Sequence, residues 1–159
     1  MSEKVEYWRG ALYPIRLSMG LKRCDYPDAV ILALIQVESG GDAAAHRSGS
    51  QYYGLLQMGR LAGIDAGIDD TSTLHGDGHA AIRAFLTYVE RYKKYHCYQP
   101  SRIAFVWKAG PGTLKRANEL TNQGMAQNKA FEQAANEKNV PNAMEYLRRF
   151  RAALEVYHG

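Results

Sequence analysis

One stretch constrains this chain more than any other. Val30-Ile31-Leu32-Ala33-Leu34-Ile35-Gln36-Val37 is almost wholly apolar. Pro27 suits a first helical position, and Asp28 suits a first turn, where a negative charge meets the positive end of the helix dipole. Gly40 and Gly41 suit the C-terminal stop. Together these signals predict a helix over about 28–39. At helical spacing Ile31, Leu34, Ile35 and Glu38 fall on one stripe, so an acid closes a core-facing face. Burial disfavours the charged carboxylate and raises its pKa, and a Glu tuned toward neutrality can protonate a leaving oxygen near neutral pH. A lone Glu at a helix end is ordinarily a surface residue. Here the apolar stripe argues otherwise, as do two downstream motifs, Gly54-Leu55-Leu56-Gln57-Met58 and Ala109-Gly110-Pro111-Gly112.

The remaining signals are helical too. A segment from about Glu3 is expected to break at Pro14 and resume to about Met19. Residues 40–53, rich in Gly, Ser and Ala, read as loop with some strand character, and a short helix follows from Gly54 to Ala66. Residues 67–78 read as loop. Over 79–96, Ile82, Phe85, Leu86, Val89, Tyr92 and His96 share one helical face. Pro100-Ser101 opens a helix through Trp107 that breaks at the Ala109-Gly110-Pro111-Gly112 motif. Polar helices are expected over 113–122 and 126–138. Pro141-Asn142 opens the last helix, with Met144, Leu147, Arg151, Leu154 and His158 at helical spacing. Strand patterns are weak, so the fold class is mainly α with little or no β-structure, in a single domain over 1–159.

A chain of 159 residues suffices for one domain with a real core, and 46% apolar with 23% charged residues is a globular balance. A formal charge of +4 favours anionic partners. The basic residues are scattered apart from Lys93-Lys94 and Arg148-Arg149-Arg151, with no nucleic-acid motif, so no nucleic-acid partner is expected. Two cysteines do not make a disulfide scaffold. Cys24 and Cys97 each read as a small buried hydrophobe, and whether they pair depends on geometry. The histidines, at 46, 75, 79, 96 and 158, lack zinc spacing, so neither a metal nor a cofactor is expected. The first ten residues lack the apolar core of a signal peptide, and no run reaches membrane-spanning length. A soluble protein is therefore expected, one that something else must deliver if its substrate lies outside the cytoplasm.

Glu38-Ser39-Gly40, Gly54-Leu55-Leu56-Gln57-Met58, Ala109-Gly110-Pro111-Gly112 and a late helix bearing Tyr146 occur in this order and spacing. In this the chain resembles the lysozyme-like lytic transglycosylases of the soluble "SLT" type, a group with many phage virion and secretion-system members. The resemblance covers about residues 25–150. It implies a lysozyme-like domain and a catalytic acid/base at Glu38. It implies substrate contacts at Ser39, Ser48, Gln57, Met58 and Tyr146, and at Ala109 and Gly110 of the glycine motif. Tyr53, beside Tyr52, either stacks on sugar rings or packs its loop onto the core. The chain departs from the family in carrying Trp107-Lys108 in place of Tyr-Asn, Asn142 in place of a frequent Glu, and Leu56 in place of a common Met.

Most glycosidases use two carboxylates, and Glu38 has no evident partner. Asp42, Asp65, Asp69 and Asp70 read as turn formers or caps. A single acid suffices if the substrate supplies the second group. The acetamido oxygen of N-acetylmuramic acid can stabilise the oxocarbenium-like centre, and the sugar's own C6 hydroxyl can close a 1,6-anhydro ring. The expected partners are thus peptidoglycan glycan strands, together with other virion or envelope-machine proteins. The expected place of action is the cell wall (periplasm). A water-using muramidase, and a structural or glycan-binding virion or envelope protein on the same scaffold, are the alternatives.

Overall fold

The computed structural model describes residues 1–158 and is mainly α-helical. Among the described residues there is no strand, only an isolated antiparallel bridge between Tyr53 and Met58. The chain forms two compact units, one built from residues 1–91 and the chain's end from Ala153, the other from Tyr92–Ala152.

The first unit holds α1 (Glu3–Glu6), α2 (Arg9–Ser18), α3 (Asp28–Ser39), α4 (Arg60–Asp65), a 3-10 turn (Thr71–Leu74) and α5 (Gly78–Arg91). In α3 every residue from Ala29 to Ile35 is buried. A helix apolar on all sides has no solvent face to offer, and α3 accordingly packs against both α1 and α2, while α2 also meets α5. Pro27 lies one residue ahead of the helix, with Asp28 in its first turn. The apolar face of α5 is as the periodicity predicts, with Ile82, Phe85, Leu86 and Val89 all fully buried.

The second unit holds α6 (Lys93–His96), α7 (Pro100–Ala109), α8 (Pro111–Asn122), α9 (Gln127–Glu137) and most of α10 (Ala143–Tyr157). Its core is made of Ile103, Phe105 and Val106 on α7, Leu114 and Leu120 on α8, and Phe131 on α9. Buried alanines at 117, 130, 134 and 135 keep facing helices slim, and α8 and α9 are close neighbours. Phe105 and Phe131 stack with ring centroids 4.4 Å apart.

Several expectations need correction. The N-terminal helix breaks at Tyr7-Trp8, and Pro14 sits inside α2. Pro14 and Gly10 are both exposed, so the carbonyl that proline cannot serve lies where water reaches it. The helix expected over 54–66 shrinks to α4, because Gly54 (φ 84°) and Gln57 (φ 52°) are left-handed and turn the chain instead. The helix over 79–96 divides at Tyr92 (φ −108°, ψ 19°), where neither glycine nor proline signals a break. On α10 the buried positions are Ala143, Tyr146, Leu147, Phe150, Ala153 and Tyr157, and of the residues noted at helical spacing only Leu147 is among them. Cys24 and Cys97 are free and exposed rather than buried, Cys24 in the turn between α2 and α3 and Cys97 directly after α6. Trp107 is half-buried, whereas Phe105 is core.

Candidate functional site

Both ends of α3 are fixed. At the start, the buried Arg16 donates to Asp28 (2.6 Å) and to the Tyr26 carbonyl (3.0 Å), tying α2 to the first turn of α3. Asp28 also faces Arg9 and Arg23 at 3.5 Å each, so the charge at the positive helix end is well compensated. At the other end Glu38 is half-buried in the last turn. Gly40, left-handed at φ 64°, stops the helix, and its N–H donates back to Ile35 and Gln36. Ser39 Oγ donates to the Ile35 carbonyl (3.3 Å) and accepts the Gly41 N–H (3.2 Å). Ser39 thus closes the turn that carries Glu38.

Gly41 is wedged in place. A Cβ there would lie 2.6 Å from the Lys4 carbonyl carbon, and the residue has φ 94°. The indole Nε1 of Trp8 donates to the Gly41 carbonyl at 3.0 Å. Tyr157, fully buried, donates to Gln36 Oε1 (2.9 Å) and accepts the Ser2 N–H (3.2 Å). The chain end and the chain start therefore both brace the last turns of α3.

The loop after Gly41 is folded on itself by polar contacts. Gln57 Nε2 donates to the carbonyls of Ala45 (2.8 Å) and Gly54 (2.9 Å), and the Gly54 N–H donates to the same Ala45 carbonyl (2.9 Å). Both amide hydrogens of Gln57 thus clip the loop, and Oε1 is the polar atom these bonds leave over. Tyr53 and Met58 exchange backbone bonds of 3.3 and 3.2 Å, closing the turn between them. Leu55, Leu56 and Met58 are buried and root it in the core. Tyr53 is half-buried with His46 stacked on its ring at 4.0 Å and 7°, while His46 Nε2 contacts the Ser50 carbonyl at 2.8 Å. Tyr52 is exposed. Ser48 is exposed in a turn closed by Ser50 N–H to Arg47 O (2.9 Å), with Gly49 supplying the φ of 79° that the turn requires.

The structure thus brings Tyr53, Gln57 and Met58 into one clipped turn and sets Glu38 and Ser39 at one helix end. Two of the aspartates weighed as partners for Glu38, Asp42 and Asp70, are engaged locally. Asp42 accepts the Ala44 N–H (2.9 Å), and Asp70 caps the 3-10 turn through the Ser72 hydroxyl (2.7 Å) and N–H (3.0 Å). Those bonds hold the Asp70 carboxyl below its ordinary range.

In the second unit, Ala109 ends α7, Gly110 turns at φ 89°, and Pro111 starts α8. Tyr146 is buried on α10, and Lys108 Nζ lies 5.7 Å from its ring centroid, within cation–π range. Sequence reasoning noted Lys108 only as a departure and gave no sign of this contact, nor of His46 on Tyr53. The first joins residues distant along the chain and the second depends on how the loop over 46–53 folds back, and no local period encodes either. No family model matches the chain, and no curated protein matches it.

Proposed function

We propose that this protein is a peptidoglycan lytic transglycosylase in which Glu38 is the single acid/base. The observation that carries the reading is the placement of Glu38: a half-buried carboxylate on the last turn of a buried helix braced at both ends. Such bracing holds a reacting group at a fixed position and so reduces the ordering left to be done in the transition state. The protonated Glu38 carboxyl gives its proton to the β-1,4 oxygen between N-acetylmuramic acid and N-acetylglucosamine as the C1–O bond breaks. The substrate's acetamido oxygen stabilises C1. The resulting carboxylate then takes the proton from the C6 hydroxyl as that oxygen bonds to C1. The product is a 1,6-anhydro end, no water is consumed, and the acid is regenerated. Delivery to the cell wall, as a virion component or by an envelope machine, belongs to the same proposal.

The test is mass spectrometry of fragments released from Gram-negative sacculi. Ends lighter by one water than reducing ends support the transglycosylase, and reducing ends point to a water-using muramidase. A second reading, a glycan-binding virion or envelope protein without turnover, is favoured by one observation. Both Gln57 amide hydrogens are engaged within the loop rather than left for a sugar. Binding to sacculi with no release of fragments would support it.

A further inference from the structure

A cavity of about 380 Å³ opens where α1 runs into α2, lined by Glu3, Lys4, Tyr7, Trp8 and Gly41. All five residues belong to the first unit, and Gly41 follows directly on the stop of α3 at Gly40. The backbone keeps helical angles through Tyr7 and Trp8. Residues one turn apart share a helix face, so Glu3 and Lys4 stand over Tyr7 and Trp8. The two rings form a corner, with centroids 5.1 Å apart and planes at 89°. Trp8 is buried and held, since its Nε1 donates to the Gly41 carbonyl at 3.0 Å and its ring fills the place of a Cβ on Gly78. Tyr7, by contrast, is 74% exposed, an aromatic face left in water beside the cavity. Glu3 and Lys4 are exposed and enter no ion pair among the described residues, whereas Glu6 is taken by Arg9. The cavity therefore offers an apolar corner with one free acid and one free base at its rim. A neutral sugar ring uses neither charge, and a simple ion uses only one. An ammonium and a carboxylate on one carbon, at the end of an aliphatic arm, use both charges and the corner.

We propose that this cavity binds the zwitterionic side-chain end of a diamino acid in the stem peptide of peptidoglycan. The carboxylate meets Lys4, the ammonium meets Glu3, and the methylene arm lies against Tyr7 and Trp8. The inference rests on the transglycosylase reading, which supplies peptidoglycan as ligand, and adds to it a preference for stem peptides that carry diaminopimelate. The lining residues bind and take no part in proton transfer.

The test uses the full chain carrying Glu38→Gln, so that ligand is bound without being cleaved. Its affinity is measured by calorimetry for three muramic acid–glucosamine oligomers that differ only at the diamino acid of the stem peptide. One carries diaminopimelate, one carries it with the side-chain carboxylate amidated, and one carries lysine, which has the ammonium alone. Each is repeated with Lys4→Met, Lys4→Arg and Tyr7→Ala, after thermal melts confirm folding. The expected result is roughly threefold to fivefold tighter binding of the diaminopimelate oligomer than of the other two, as for one exposed ion pair. That advantage should be lost with methionine, kept with arginine and weakened by salt. Tyr7→Ala should weaken all three oligomers alike. Equal binding of the three, or an advantage that survives Lys4→Met, overturns the inference. Release of 1,6-anhydro ends from sacculi by wild type, measured alongside, leaves the transglycosylase reading in place in that case. Failure of the folded chain to bind any oligomer, with no fragments released by wild type, overturns both.

Discussion

At the scale of single residues, Glu38 was legible and the surroundings of Gln57 were not. The apolar run and the two glycines mark Glu38 as the end of a buried helix, because helix period and stop signals are local. The Gln57 clip depends on how residues 43–58 fold back, and local pattern does not encode that. The structure therefore changes what Gln57→Ala should do. Loss of two side-chain bonds to Ala45 and Gly54 should cost about 1–2 kcal/mol in denaturant melts. A variant as stable as wild type would show that the clip carries no weight. Asp28 offers a second test. Arg16 is only 3% exposed, so Asp28→Ala would leave a buried guanidinium without its 2.6 Å partner. We expect a loss of about 3 kcal/mol in chemical unfolding, and a loss below about 1 kcal/mol would mean that water and the Tyr26 carbonyl suffice for the Arg16 guanidinium. The exposed cysteines show the reverse failure of sequence reading. Composition favours burial of cysteine, but both stand in turns where the chain path decides exposure.

At the scale of elements, periodicity located the helices well and their breaks poorly. α3, α7, α8 and α9 lie close to their expected bounds because proline, glycine and apolar spacing agree there. The break at Tyr92 carries no punctuating residue, and Pro14 is tolerated because the carbonyl it orphans is exposed. On α10 the helical spacing of Met144, Leu154 and His158 does not mark the buried face, since other residues of the helix share that period. Buried Tyr146, Phe150 and Tyr157 lie along a neighbouring stripe. The stop of α3 gives a sharp contrast between two adjacent glycines. Both have positive φ, yet a Cβ at Gly40 meets nothing within 4 Å while one at Gly41 meets the Lys4 backbone at 2.6 Å. Gly40→Ala should cost about 1 kcal/mol from the left-handed conformation alone. Gly41→Ala should cost roughly 2 kcal/mol or more, since the α1 backbone must also move. Equal effects in thermal melts would contradict the close approach.

At the scale of the whole molecule, the mainly α class was readable from the chain, because strand alternation is weak throughout and helical spacing recurs. The division into two compact units was not, since no linker or shift in composition marks Arg91-Tyr92. The acid sensitivity of the second unit can be stated with its sign. Arg116, and then Gln133, hold the Glu137 carboxyl down from 4.5 to about 2. A carboxyl depressed in the folded state contributes stability that is present above pH 4.5 and lost as pH falls toward about 2. Glu137→Gln should flatten the fall in melting temperature across that window, and an unchanged acid limb would deny the pair any role. In the proposed reaction Glu38 alone supplies and retrieves the proton. The most direct test of that role is release of soluble fragments from sacculi by wild type and by Glu38→Gln, with both proteins shown by circular dichroism and melting to be folded. Release by wild type and none by the variant is expected. Undiminished release by a folded Glu38→Gln protein would contradict it.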